Sequence, residues 1–180
     1  MEFALVSGNL ALDLAGTLRW RRTAPEEVLV DPDTLRSWLV ASGAAPGPVD
    51  VDAAALTRAL ALREAAYRLA RDRLEGRAFD PDALDVVNAA AAGPAMAIAL
   101  TPDGLVRRGG VDAALGDVAR SLITLLGDPA APPLKECGRD ACTRLYLDRS
   151  RGARRTWCGM DECGNRVKAA AYRARRRGAG

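Results

Sequence analysis

The chain has 180 residues, of which 49% are hydrophobic, enough for one medium domain and a small one around a buried core, and this excludes a chain disordered throughout. The net charge is only +3, but residues 135–180 carry 13 Lys or Arg against 5 Asp or Glu (+8), whereas residues 1–134 carry 13 against 18 (−5). There is no apolar run of about 18 residues, no basic and apolar start of the signal-peptide kind, and no histidine, the commonest general base.

A cytoplasmic location is the expectation, and with it reduced thiols. The bias towards alanine and arginine fits a GC-rich bacterial genome. The basic C-terminal segment is expected to meet a polyanion, against the plainer reading of a solvated tail.

In chain order, Phe3–Val6 is a candidate strand. Asn9–Trp20 fits both period 2 and period 3.6, so its type stays open. Asp13 and Thr17 within it are candidates either for lining a ligand pocket or for capping backbone groups. Glu27–Val30 is a second candidate strand. Asp31-Pro32-Asp33 predicts a helix start, with the helix ending at Ser42-Gly43. Asp50 or Asp52 caps the next helix, which reaches Glu75 and stops at Gly76. Its apolar residues fall on two stripes, Leu56, Leu60, Tyr67, Ala70 and Leu74 on one and Leu62, Ala66 and Leu69 on the other, which places it centrally. Asp80-Pro81-Asp82 opens a helix ending near Gly93. Met96–Leu100 and Leu105–Arg108, joined by Thr101-Pro102-Asp103-Gly104, predict a hairpin. Val111–Leu126 returns to helix.

The predicted fold is α+β: a mainly helical N-terminal domain (1–126) with a small β-hairpin, a proline-rich linker (127–134), and a small module (135–180). No dinucleotide-binding, P-loop or nucleophile-elbow motif is present. An enzyme in the N-terminal domain would have to use carboxylates such as Asp13. No catalytic residue is assigned, and the chain is read as a non-enzyme.

All four cysteines lie within 27 residues, as Cys137-x4-Cys142, fifteen residues, then Cys158-x4-Cys163. Two close pairs separated by 12 to 20 residues form the pattern of a structural zinc site. Thiolates supply four soft ligands and fill the tetrahedron, leaving no open catalytic position. Two disulfides and an iron–sulfur cluster compete less well, the first on compartment and the second on spacing. Leu145–Asp148 and Arg155–Trp157 are predicted strands of a returning hairpin, with Gly152 near its turn. Gly138 and Gly164, directly after the first and last ligands, are read as permitting positive φ and letting backbone N–H groups approach the sulfurs. A knuckle, a hairpin and a ligand at a helix start suggest a treble-clef-like finger holding one Zn2+.

Beyond Cys163 a helix is expected, with Val167, Ala170, Ala171 and Ala174 on a narrow apolar face. Arg166, Lys168, Arg173, Arg175, Arg176 and Arg177 cover the rest, and the hairpin adds Arg149, Arg151, Arg154 and Arg155. Arginine suits phosphate because its fork makes paired hydrogen bonds. Tyr172 is a candidate for stacking on a base or for shielding the zinc site.

Cys163-Gly164-Asn165-Arg166 is the motif of the CGNR zinc finger family, and Cys137–Arg177 resembles that family. Leu147–Arg151 and Arg155–Met160 also resemble its pattern. In such proteins the finger follows an N-terminal domain called ABATE, described as a putative stress-induced transcription regulator. Leu10–Thr17 resembles that domain's opening motif, with Gly16 where the family more usually has asparagine. The resemblance implies zinc binding and transcription control. Asn165 is read as structural, capping the helix or bonding a knuckle carbonyl, and Arg166 as touching phosphate or bracing Asp148.

The leading expectation is a regulator whose finger binds DNA through Arg154, Arg155, Arg166, Lys168, Arg173, Arg175, Arg176 and Arg177. Its N-terminal domain would sense a small-molecule ligand or form a homodimer, and no membrane is involved. The alternative is a protein- or RNA-interaction module with a structural zinc.

Overall fold

In the computed structural model, which describes residues 3–165, four of the first five helices start at a side-chain cap. Asn9 accepts from the N–H groups of Ala11 and Leu12 at the head of α1 (Leu10–Ala15). Asp31 and Thr34 form a reciprocal capping box on α2 (Pro32–Ala41). Asp52 caps α3 (Ala53–Glu75) and Asp80 caps α4 (Pro81–Ala92). α5 (Val111–Gly127) follows Gly110 and has no side-chain cap. Among the described residues, no helix is long and apolar enough to cross a membrane.

α3 is the central element and packs against α1, α2, α4 and α5. Its stripe of Leu62, Ala66 and Leu69 is buried, and the second stripe is covered in part: Ala70 is buried while Leu56, Leu60, Tyr67 and Leu74 are partly so. Alanines at 55, 59, 65 and 66 let neighbouring helices approach closely, and Trp38 of α2 fills the space beside them with no exposed surface.

The strands form three antiparallel pairs. β1 (Leu18–Arg19) pairs with β2 (Glu26–Glu27), β3 (Ala97–Thr101) with β4 (Gly104–Arg108), and β5 (Leu134–Glu136) with β6 (Leu145–Leu147). The ambiguous Asn9–Trp20 stretch thus splits into a short helix and a strand.

Three strand expectations are corrected. Phe3–Val6 is not a strand: its Val6 carbonyl accepts from the Arg155 guanidinium at 3.2 Å, and just beyond it Ser7 O accepts from Leu147 N at 2.8 Å. The second strand is Glu26–Glu27, since Val28 and Leu29 turn away into the core. Arg155–Trp157 is not a strand either. β6 pairs instead with β5, upstream of the first cysteine.

Residues 128–133 carry the chain from α5 into β5. The β5–β6 pair then lies against α1 and α3. Leu145 and Leu147 are buried with Leu12 and Ala70, and Tyr67, Leu74, Leu125 and Leu134 close the cluster. Glu136 of β5 pairs with Arg71 of α3 at 2.6 Å and with Arg22 at 2.7 Å.

Candidate metal centre and its basic rim

Cys137 directly follows β5, and its N–H continues the ladder to Arg144 O at 3.0 Å. A tight turn returns the chain to Cys142, whose N–H reaches Arg139 O at 2.7 Å. Cys163 sits in a single π-helical turn, Met160–Gly164, with its N–H on Gly159 O at 3.1 Å. The four sulfurs all lie within 4.8 Å of one another, and all four residues are buried. Tetrahedral zinc with thiolates at about 2.3 Å requires sulfurs about 3.8 Å apart. The Cys142 and Cys158 sulfurs stand 3.9 Å apart.

The donor set also asks for a cation. Hydrogen bonds from Cys142 and Cys158 hold the Cys137 thiol far below its usual value. The hydrogen bond it donates to Cys137 pushes the Cys142 thiol up to about 12, and Cys158, hydrogen-bonded to both Cys137 and Cys142 and buried, goes higher still. Four thiolates cannot stand together in a buried site unless a metal offsets them. The geometry and chemistry of Cys137, Cys142, Cys158 and Cys163 fit one structural Zn2+.

Two arginines that the sequence reading passed over face these sulfurs. Arg139 Nη1 lies 4.0 Å from Cys163 Sγ and Arg144 Nη1 lies 3.9 Å from Cys158 Sγ, while Cys158 N donates to Cys137 Sγ at 3.5 Å. Zinc with four thiolates carries −2, so these donors stabilise the loaded site. The signal was present as a repeat: each arginine stands two residues after a ligand of the first pair, Cys137-Gly-Arg139 and Cys142-Thr-Arg144. Arg139 also stacks over the Trp20 ring at 4.8 Å.

Both expectations for Gly138 and Gly164 are corrected: neither is among the positive-φ glycines, and their N–H groups go to the carbonyls of Thr156 and Gly159 rather than to cysteine sulfur, so what requires glycine is the close approach of Thr156 and Met160. A Cβ on Gly138 would lie 2.8 Å from Thr156 Cγ2 and 3.1 Å from Thr156 O, and Gly138 N donates to that same carbonyl at 2.8 Å. A Cβ on Gly164 would lie 2.7 Å from Met160 Sδ.

The segment between the cysteine pairs is organised by Asp148, which is 2% exposed. It accepts from Ser150 N at 2.9 Å, Ser150 Oγ at 2.6 Å, Arg155 N at 2.9 Å and Lys135 Nζ at 2.7 Å. Burial pushes its carboxyl up, but these donors outweigh burial and hold it well below the usual carboxylate range. The turn so fixed exposes Arg149, Arg151 and Arg154. None of the three pairs with a carboxylate among the described residues.

Arg155 is different. Its guanidinium donates to the carbonyls of Val6, Trp157 and Cys158 and lies 4.5 Å over the Tyr146 ring, so its fork is already occupied. Tyr146 is fully buried and donates to Arg155 O at 2.8 Å; burial pushes its phenol up to about 12.

Asp13 and Thr17 are engaged with the protein's own groups. Asp13 accepts from Ser7 N at 2.9 Å and Thr17 donates to Leu14 O at 2.7 Å. The space they border with Trp38 and Arg144 is about 10 Å³, the size of one water molecule. Asn165 ends the π-helical turn, its N–H on Met160 O. Arg166, Lys168, Tyr172, Arg173, Arg175, Arg176 and Arg177 lie outside the described residues.

Two family models match the chain. ABATE, "Putative stress-induced transcription regulator", covers residues 8–129. The chain belongs to the ABATE family. The second model, CGNR zinc finger, covers residues 134–176 and contains all four cysteines. No curated protein matches the chain. The ABATE match ends just past α5, and the CGNR match begins with β5. It is a zinc-binding chain of regulator type, with its one zinc held by the finger.

Proposed function

We propose that this ABATE protein is a transcription regulator whose CGNR finger binds duplex DNA, with the ABATE domain carrying the control input. The observation that supports this most is the Asp148-pinned turn, which holds Arg149, Arg151 and Arg154 exposed and unneutralised beside the zinc site. A fixed turn loses little entropy on meeting a phosphate backbone, and exposed guanidiniums are suited to paired phosphate contacts. The +8 balance of residues 135–180 extends the same surface. Arg154 belongs to the contact set, joined by Arg166, Lys168, Arg173, Arg175, Arg176 and Arg177. Arg155 serves as the brace that ties the turn to the zinc core.

For the control input, the ABATE domain offers a groove of about 490 Å³ between α3, α4 and α5, bordered by Leu62, Val86, Ala90 and Leu115, with the Arg58–Asp112 ion pair also lining it. Its size and apolar lining suit a small molecule.

The test is fluorescence anisotropy of zinc-loaded protein with duplex DNA across salt concentrations. Binding should weaken steeply with salt, and replacing Arg149, Arg151 and Arg154 together with alanine should lower the log–log salt slope by roughly one per lost phosphate contact. Absence of binding at low salt, or an unchanged slope in the triple variant, would sink the reading.

A further inference from the structure

The largest apolar exposure in the described residues is on the β3–β4 hairpin, where Ile98 is 72%, Leu100 88% and Leu105 68% exposed. The register sets Leu100 opposite Leu105 and Ile98 opposite Arg107, so these side chains share one face. β4 is the anchored strand: Arg107 donates to Gly43 O at 2.7 Å and pairs with Asp117 at 3.3 Å. β3 is the outer strand, exposed at every position from Ala97 to Leu100, and its one ladder among the described residues is with β4.

A lone two-stranded hairpin is marginal in water, and proteins usually guard an open edge with charge, proline or a bulge. β3 reads Ala-Ile-Ala-Leu-Thr and has no such guard, whereas β4 carries Arg107 and Arg108.

We propose that β3 is a self-association edge, through which two copies of this chain join by antiparallel β3–β3 pairing across a two-fold axis. The occupant follows from charge and from symmetry. An uncharged apolar edge matches a strand that is itself uncharged and apolar, and β3 of a second copy is such a strand. Pairing centred on Ala99 sets Ile98 opposite Leu100 of the second copy, and the reverse, on the same face. The result is a four-stranded sheet ordered β4-β3-β3-β4, with two neighbouring rows on one face, each running Leu105, Leu100, then Ile98 of the second copy and closed by that copy's Arg107. This deepens the regulator reading, resting on it only for the use of two fingers on two half-sites. The self-association needs no DNA.

Light scattering on the zinc-loaded full chain, from micromolar to hundreds of micromolar, tests it. The mass should rise from one chain towards two. The double variant Ile98→Lys, Leu100→Lys should stay at one chain with zinc content and melting temperature unchanged, because both side chains are solvent-exposed in the single chain. Val30→Lys, at a 62% exposed position just before α2, should leave the rise intact. A single-chain mass at every concentration, a double variant that still associates, or loss of association in Val30→Lys would each overturn the proposal. A monomer that binds DNA would remove the dimer edge and keep the regulator reading; a dimer without DNA binding would do the reverse.

Discussion

Several charged side chains here do work that their residue types alone would not assign. Arg155 and Arg154 are adjacent in a basic run, yet one braces three carbonyls under the zinc site and the other faces water. Sequence cannot separate them, because the difference is made by the Asp148-centred turn. Asp72 is the corresponding organiser in the ABATE domain. It is 1% exposed and accepts from Arg77 at 2.9 Å and from Asp80 N at 3.1 Å. Burial pushes its carboxyl up, but Arg77, the Asp80 N–H and Arg68 outweigh burial and hold it below its ordinary value of 3.8. A depressed carboxyl contributes stability that is complete above that ordinary value and is lost as pH falls below it. Asp72→Asn should therefore cost about 1–3 kcal/mol at neutral pH. The gap between variant and wild-type melting temperatures should close as pH drops below the usual carboxylate range. A gap that stays constant from neutral to acid pH would show that the charge is not what Asp72 contributes.

At the scale of elements, caps and periodicity were legible and long-range pairing was not. Asp31-Pro32, Asp52 and Asp80-Pro81 each mark a helix start, and the Pro-Asp-Gly turn marks the β3–β4 hairpin, because these signals act within a few residues. Phe3–Val6 has strand composition but spends its carbonyl on a guanidinium from the other end of the chain. The finger's ladder likewise joins β6 to β5 rather than to Arg155–Trp157, because Gly138 and Asp148 take the hydrogen bonds of Thr156 and Arg155. The four cysteines were legible because metal spacing is local and strict. Their guanidinium partners were missed because Arg139 and Arg144 each reach across to a ligand of the second pair. Leu12 of α1 joins the two regions, fully buried against Leu145 and Leu147. Leu12→Ala should cost about 2–5 kcal/mol. It should also weaken zinc retention against a chelator, since the cavity opens beneath the strands that lead to and from the first cysteine pair. Undiminished zinc retention in a destabilised variant would show that α1 does not support the finger.

For the whole molecule, the consequence is that zinc holds more than a finger. β5 and β6 pack on α1 and α3, Glu136 pairs with Arg71 and Arg22, and Arg139 stacks on Trp20. A metal that fixes the cysteine loops is therefore expected to steady one flank of the ABATE domain as well, through these same contacts. Metal binding is folding free energy for such sites, so its removal should be felt beyond the finger. Hydrogen exchange on the full chain, zinc-loaded and zinc-stripped, measures this directly. The account predicts that stripping zinc deprotects the finger, α1 and the turns of α3 around Ala70 and Arg71, while α4 keeps its protection. Loss of protection confined to residues 134–165 would contradict it, and would make the finger an independent module resting on the ABATE domain.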